Sequence, residues 1–151
     1  MPDNLFLECV SSNKSMQFFI KPGTQSKWYE HWKATRMQWH LGLGMGADNY
    51  RFHDHEKLAH YADAACDIEF NFPFGFKELE GIHSRTDFDL KAHETFSGNK
   101  MQYFDPEDNT SYTPYVLETC IGLDRMFLSK FIYYLIFKIC NLMQQQPYQL
   151  I

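Results

Sequence analysis

The sequence lacks the residues that mark several specialised classes of protein. Its four cysteines, at positions 9, 66, 120 and 140, include no C-x-x-C pair, which disfavours a zinc knuckle and a thioredoxin-like redox site. Scattered single cysteines are typical of a reducing compartment, so the sequence predicts a cytoplasmic protein. Basic residues are in the minority, because 14 Lys and Arg face 19 Asp and Glu for a net charge of −5. That balance argues against a general nucleic-acid-binding surface.

Targeting and membrane signals are also weak. Residues 1–14 contain no basic stretch followed by a long apolar run, so no signal peptide is predicted. The most apolar stretch, residues 126–143, is interrupted by Lys130 and Lys138. A membrane span needs about 20 mostly apolar residues. The sequence therefore favours a buried helix, or one left partly uncovered by a missing neighbour, and predicts no contact with a membrane.

What is present indicates a single packed domain. The chain has 151 residues, of which 44% are hydrophobic and 17% aromatic, enough to form one core. Alternating apolar patterns and turn signals predict an α+β fold, an antiparallel sheet flanked by helices. The strands are predicted near residues 16–21, 66–72, 76–82, 101–105 and 113–118, and the helices at about 25–40, 54–65 and 122–140.

Two of the predicted helices carry side chains that bind ligands in other proteins. In the first, Trp28, Trp32 and Trp39 share a face with helical spacing, which is more typical of packing than of a ligand cage. Asp54 is predicted to cap the second, and His53, His55 and His60 cluster around its start. His55 and His60 are five residues apart and do not share a helical face, so a metal site is disfavoured.

Acidic residues lie between apolar ones in residues 77–90, where Glu78, Glu80, Asp87 and Asp89 occur. A buried carboxylate must be paired, hydrogen-bonded or bound to a cation. Residues two apart on a strand share a face, so Glu78 and Glu80 are predicted to point the same way. In the purely structural alternative, these charges pair with one another, for instance Glu80 with Arg85.

A nucleotide site is the functional alternative. Strands 66–72 and 76–82 are predicted to form one hairpin, and strands 101–105 and 113–118 another. If these hairpins are neighbours, Glu78 and Glu118 approach across one face of the sheet, near Arg125 in the first turn of the last helix. The two acids are then candidates to hold a divalent cation bound to phosphates. The guanidinium is a candidate to stack on a purine or to pair with a phosphate. A carboxylate can also bind the ammonium group of an amino acid.

Three stretches resemble a known family. "SMQFFIKPGTQSKWYEHWKATRMQWH", "KLAHYADAACDIEFNFPFGFKELEGIHSRTDFDLKAH" and "YTPYVLETCIGLDRMFL" resemble the catalytic domain of the dimeric glycyl-tRNA synthetases, which are class II aminoacyl-tRNA synthetases. The likeness runs from about Met16 to about Leu128, in matching order and spacing. It implies that ATP activates glycine, which then passes to the 3′ end of its tRNA.

The resemblance also implies roles for individual residues. Arg125 and Glu118 are the implied catalytic pair, with Arg125 against the adenine ring and Glu118 on the glycine ammonium. Magnesium is implied with ATP, and Glu78 and Glu118 are the candidates to hold it. Glu80, Asp87 and Asp89 are expected to shape the pocket wall. The implied ATP contacts are Glu78, Leu79, Gly122, Leu123, Asp124 and Arg125, and the implied glycine contacts are Glu118, Thr119, Cys120, Ile121 and Gly122.

The sequence departs from the family pattern at several points. Ser15 stands where the family has a glutamate for the glycine ammonium, and Cys120 stands for a small serine. No arginine precedes Met16, although the family grips the ATP α-phosphate with one there. The sequence also lacks a match to the segment that forms the homodimer interface in the family. We therefore expect a divergent segment at 1–15, a partial catalytic domain at 16–143 and a tail at 144–151, with no anticodon-binding domain.

Two functions remain open at this point. The chain is either a catalytic-core fragment of a glycine–tRNA ligase or a catalytically inactive, synthetase-like module. Such a module would bind a nucleotide, an amino acid or a protein partner. Loss of the α-phosphate arginine favours the second reading for the isolated chain, because one well-placed donor to a reacting group contributes about 3–4 kcal/mol.

Overall fold

The computed structural model describes residues 13–144 as seven strands and three α-helices. The strands are β1 Asn13–Ile20, β2 Tyr50–Asp54, β3 Ala64–Phe72, β4 Gly75–Ser84, β5 Tyr103–Asp105, β6 Thr110–Tyr112 and β7 Tyr115–Gly122, and the helices are α1 Gln25–Gly42, α2 Phe88–Ser97 and α3 Leu123–Gln144. Five strands form one sheet in the order β1–β7–β4–β3–β2, with every neighbouring pair antiparallel. Strands β5 and β6 form a separate hairpin. The predicted α+β arrangement with an antiparallel sheet is confirmed.

One face of the five-stranded sheet packs against the core. In β7 the side chains of Leu117, Thr119 and Ile121 are buried, while Glu118 and Cys120 between them are partly exposed. Successive side chains on a strand point to opposite faces, so this alternation separates a core face from a more open one. The core face lies under α1, which contacts β4 and β7.

The tryptophan stripe of α1 serves mainly as a packing face, as its spacing predicts. Phe18 of β1 meets the rings of Trp28 and Trp32 edge to face, with centroids 4.8 and 5.5 Å apart. Trp39 is the exception, because it is 44% exposed and lies under the guanidinium of Arg36 at 4.6 Å. Edge-to-face aromatic contacts of this kind contribute about 0.5–1.5 kcal/mol each beyond area burial.

The helix predicted at 54–65 is wrong. Residues 50–54 form the edge strand β2, which pairs with residues 66–70 of β3, and a loop follows as far as residue 63. The loop's backbone is held by the sheet, since the His55 amide donates to the Ala65 carbonyl and the Asp63 amide donates to Ser84. Backbone hydrogen bonds to the sheet therefore hold most of "HEKLAHYADAA" as a loop, in spite of its local helical pattern.

The sequence pattern missed helix α2. It begins after Asp87 and ends at Gly98, which adopts the left-handed conformation with φ +71° and donates its amide to Glu94. A glycine at this position is a common helix stop. The predicted hairpin of strands 101–105 and 113–118 is wrong, because β5 pairs with β6 and β7 pairs instead with β1 and β4. β7 then continues to Gly122, so Glu118 lies in the middle of a strand and not at its end.

Helix α3 is long and only partly covered. Met126, Leu128, Ile132 and Tyr133 pack against the core, whereas the large side chains of its second half are exposed. By length and composition, Leu123–Met143 is one helix apolar enough to cross a membrane, with a mean hydropathy of 1.4. Only 6% of this stretch is buried, so α3 is not a core helix, but one helix of this kind is weak evidence for a span.

Candidate active site

The polar side chains of the sheet gather on the face away from α1, which we call the open face. Residues directly opposite each other in an antiparallel pair point to the same face, so the register assigns each side chain to one side. Ile68, Ile82 and Leu117 lie on the core face and are fully buried. The open face carries Gln17, Asp67, Glu69, Glu78, His83, Glu118 and Cys120.

A β-bulge separates Glu78 from Glu80, and their predicted common face is wrong. Glu80 is opposite Ile68 while Glu78 is opposite Glu69, so Leu79 is an extra, unpaired residue in β4. A bulge shifts the alternation by one position. Glu78 therefore points to the open face and Glu80 into the core, where it cannot shape the pocket wall.

The buried Glu80 is paired, although not with Arg85. Its carboxylate accepts hydrogen bonds from Arg36 Nε at 2.6 Å and Nη2 at 3.1 Å, and contacts His40 Nε2 at 2.8 Å. Burial alone would raise the pKa of Glu80, but the hydrogen bonds from His40 and Arg36 outweigh it and hold the pKa below its ordinary value. Glu80 thus joins α1 to the sheet.

Glu118 lies in a small pocket together with an arginine. Arg85 Nη1 donates to Glu118 Oε2 at 2.9 Å, and Arg85 Nε donates to Asp89 Oδ2 at 2.7 Å. The hydrogen bond to Asp89, aided by the charges of Asp89 and Glu118, raises the pKa of Arg85 despite partial burial. The pocket has a volume of about 280 Å³ and is lined by Gln17, Phe19, Arg85, Asp89, Leu90, His93, Val116 and Glu118. From the sequence, Arg85 is expected only as an ion-pair partner of Glu80, and its place in this pocket was not predicted.

A second charged pair occupies the end of the open face near α3. Arg125 Nη1 donates to both the backbone carbonyl of Glu78, at 3.0 Å, and its carboxylate, at 3.1 Å. Nearby on the same face, the guanidinium of Arg51 lies 4.1 Å from the ring centre of Phe76 and donates to Glu69. Arg125 and Arg51 are both accessible, so this end of the face offers two planar cations to a ligand.

These two clusters share a face but not a pocket. Glu118 is opposite His83, and Glu78 lies five residues before His83 along β4. At roughly 3.3 Å per residue the two positions are on the order of 15 Å apart. A magnesium ion binds its oxygen ligands at about 2.1 Å. One ion held directly by Glu78 and Glu118 does not fit this spacing, which corrects the predicted shared pocket and shared ion.

Histidines form a further polar group on the open face. His55 Nε2 lies 2.9 Å from Asp67 Oδ2, and the His55 and His83 rings are 6.1 Å apart. Burial lowers the pKa of His83 in spite of the nearby Asp67. His60 instead meets Phe88, at 4.8 Å between ring centres. Across residues 13–144 no group of three or more His, Cys, Asp or Glu is arranged to hold a metal ion.

The remaining predicted contacts divide between the two faces. Thr119 and Ile121 are buried on the core face, and the Leu79 side chain is in the core, so these three offer at most backbone to a ligand on the open face. Leu123 and Asp124 begin α3. Ser15 and Cys120 lie directly opposite each other in the β1–β7 register. Ser15 and Cys120, the two residues that differ from the family pattern, therefore face each other next to the Gln17–Glu118 pair.

Comparisons with known proteins agree with the resemblance. The chain is 53% identical over 115 residues to the glycine–tRNA ligase of Chlorobaculum tepidum, covering 76% of this chain and 24% of that protein. It is 46% identical over 127 residues to the glycine–tRNA ligase of Treponema denticola, covering 82% and 28%. With that of Geobacillus kaustophilus it is 48% identical over 116 residues, covering 76% and 25%. No protein-family model matches the chain.

The three relatives carry the same name and match a similar share of this chain. Each match extends over at least three quarters of the chain at 46–53% identity, while it covers only about a quarter of the relative. Most of this chain is therefore similar in sequence to one part of the glycine–tRNA ligases, about a quarter of their length.

Proposed function

We propose that the chain carries the glycine- and ATP-recognising part of a glycine–tRNA ligase-like catalytic domain. The supporting observation is the open face. A small pocket with charges of both signs lies there, on the same side of the sheet as the accessible side chains of Arg125 and Arg51. In the whole enzyme the reaction would join glycine to ATP and then transfer it to its tRNA. We place this activity in the cytoplasm, in keeping with the scattered cysteines.

The Glu118 pocket is the proposed glycine site. Its volume of about 280 Å³ suits a very small ligand. Glu118 and Asp89 can accept hydrogen bonds from an ammonium group, and Arg85 can donate to a carboxylate. Glycine would have to compete with the Arg85–Glu118 ion pair, in which both side chains are mostly buried. The free energy of that competition would limit the affinity for glycine.

The Arg125 end of the open face is the proposed ATP site. Arg125 is placed at the start of α3, where Gly122 ends β7, and its guanidinium reaches the Glu78 backbone. A guanidinium in this position can stack on a purine ring. Magnesium would enter as part of the substrate, bound to the ATP phosphates, since residues 13–144 contain no group of three or more His, Cys, Asp or Glu that could hold a resident ion.

One observation favours the alternative of a catalytically inactive module that binds a nucleotide, an amino acid or a protein partner. The first arginine of the chain is Arg36, and it is bound to the buried Glu80 on the core face. It is therefore not available to clamp an α-phosphate on the open face. Ser15 beside Cys120 likewise supplies no carboxylate for the glycine ammonium.

Arg125→Lys tests the nucleotide site. A lysine keeps the positive charge but loses the planar group that can stack on a base. We expect the affinity for magnesium-ATP to fall about tenfold, measured by calorimetry or by ligand-observed NMR.

Lys100→Gln is the matched control, because Lys100 is an exposed cation in the loop before β5. It should leave ATP affinity unchanged. Equal losses in both variants would show that the effect is not specific to Arg125, and a loss in Lys100→Gln alone would indicate non-specific attraction of a polyanion; each result would count against the Arg125 site.

A further inference from the structure

Four charged side chains form a row across the end of the open face near α3. Arg51 on β2 is opposite Glu69 on β3, and Glu69 is opposite Glu78 on β4. Arg125 completes the row, because it donates to the Glu78 carboxylate. We call these four residues the charged row. Like charges directly opposite each other destabilise a sheet, so the two arginines offset the repulsion between the glutamates.

Arg51 keeps both of its terminal nitrogens available for a ligand. Its Nε donates to Glu69 Oε2 at 2.6 Å, whereas Nη1 and Nη2 donate to no residue in the described range 13–144. The guanidinium lies over the ring of Phe76, 4.1 Å from its centre, and the side chain is 51% exposed. A planar group held by stacking loses little freedom on binding, and its two parallel donors match the oxygens of a phosphate.

The other arginines of residues 13–144 are more fully engaged. All three nitrogens of Arg85 already donate to carboxylates. Arg36 is bound to a buried carboxylate on the core face. Arg125 uses one terminal nitrogen and is the proposed contact for the purine base. Arg51 is therefore the arginine on the open face that is best placed to bind a second, anionic part of a ligand.

The length of the charged row suits a nucleotide. Neighbouring strands lie about 4.8 Å apart, so Arg51 and Glu78 are separated by roughly 10 Å across β3. In an extended nucleoside triphosphate, the terminal phosphates lie at a comparable distance from the base. A base stacked on Arg125 can therefore direct its phosphates along the row to Arg51.

We propose that Arg51 binds the outer phosphates of magnesium-ATP whose base lies against Arg125. This inference rests on the proposed ATP site and adds to it a residue outside the three stretches that carry the family resemblance. Glu69 and Glu78 repel bare phosphates, so ATP binds along the row with its magnesium and poorly without it. Strands β3 and β4 separate β2 from β7, so Arg51 does not replace the arginine expected at the α-phosphate.

Arg51→Gln tests the proposal in NMR titrations of the ¹⁵N-labelled chain. Glutamine removes the charge and the pair of parallel donors. We expect the dissociation constant for magnesium-ATP to rise about tenfold, while binding of adenosine, which has no phosphate, stays within about twofold. Arg125→Lys should weaken the binding of both ligands, because it alters the contact with the base. ATP freed of its magnesium with EDTA should bind the unchanged chain roughly tenfold more weakly than magnesium-ATP.

Lys77→Gln is the matched control. Lys77 is an exposed cation next to Glu78 on β4, but it is opposite the buried Phe70 and therefore points to the other face of the sheet. Its replacement should leave the binding of both ligands unchanged. Arg51 is half-exposed on an edge strand, so Arg51→Gln should fold like the unchanged chain, which circular dichroism checks.

The outcomes distinguish the role of Arg51 from the ATP site itself. A loss in Arg51→Gln that is confined to magnesium-ATP supports the proposal. If Arg125→Lys weakens the binding of magnesium-ATP and Arg51→Gln does not, the ATP site stands and the role of Arg51 is overturned. An equal loss for adenosine, an equal loss in Lys77→Gln, or undiminished binding of ATP in EDTA would also overturn it. If magnesium-ATP does not bind at all, both proposals fail.

Discussion

Replacing Glu80 with alanine is expected to lower the free energy of unfolding by roughly 3 kcal/mol. Removal of one member of a buried charged group leaves its partners uncompensated, which typically costs about 3–5 kcal/mol. Here His40 is fully buried and Arg36 is 21% exposed, so water relieves part of that cost. Urea denaturation followed by circular dichroism measures the effect.

Glu69→Ala is the matched control for Glu80→Ala. Glu69, like Glu80, accepts a hydrogen bond from an arginine, but its partner Arg51 on β2 is half-exposed. Such pairs contribute about 0–1 kcal/mol. If Glu80→Ala cost no more than Glu69→Ala, Glu80 would not be the group that joins α1 to the sheet.

Glu80 also makes the stability of the fold depend on pH. The pKa of Glu80 is lower in the folded state than in the unfolded chain, so more protons bind on unfolding. The stabilisation is complete above the unfolded pKa of about 4.3 and is lost as the pH falls through the folded pKa. Glu80→Gln should flatten the stability profile below about pH 4.5 relative to the unchanged chain. An identical profile in both proteins would contradict the assigned pKa direction.

Glycine-dependent exchange of pyrophosphate into ATP is expected to be absent from the purified chain. Charge grows on the ATP α-phosphate as the glycine carboxylate attacks, and residues 1–15 contain no arginine where the family resemblance implies one to neutralise it. Losing one such donor typically lowers the rate by about 10²–10³. Ser15 in place of a glutamate weakens the hold on the ammonium group as well. The two losses together should bring the rate to background.

The exchange assay includes the same reaction without glycine as its blank. A glycine-dependent signal well above that blank, at micromolar protein, would show that the α-phosphate arginine matters less than the resemblance implies. The chain would then be a working synthetase core.

Local sequence patterns were sufficient for the strands that alternate cleanly. In "YVLETCIG" the apolar residues Leu117 and Ile121 alternate with Glu118 and Cys120, and the strand predicted at 113–118 is found, although it continues to Gly122. "CDIEFNF" behaves in the same way in β3. Each of these strands has one face covered by the core, so its apolar and polar residues alternate with a period of two.

The pattern failed where tertiary contacts set the structure. Nothing local to "KELEGI" signals the bulge at Leu79, because the bulge is defined by pairing with β3 twelve residues away. Without it, Glu80 was placed on the wrong face. Strand β2 was likewise not predicted, because it is defined by its pairing with β3, and the helix predicted at 54–65 falls mostly on the loop between these two strands. Asp87 and Gly98 did mark both ends of α2, and that signal was available.

The candidate site was only half accessible to sequence reasoning. The family resemblance supplied Glu118 and Arg125, while Arg85, Asp89 and Gln17 became part of the pocket only through the β1–β7–β4 register and the position of α2. The separation of Glu78 from Glu118 likewise follows from the register. Residue spacing along a chain cannot report distances across strands.

The most direct test of the central claim is an NMR titration of the ¹⁵N-labelled chain with glycine and, separately, with magnesium-ATP. Weak binding suffices, since shifts can be followed with up to about 50 mM ligand. We expect glycine to shift the amide signals around Glu118 and Arg85, and Glu118→Gln to abolish these shifts. We expect magnesium-ATP to shift the amide signals around Glu78 and Arg125. Absence of any glycine-dependent shift, or shifts confined to the α1 face of the sheet, would contradict it.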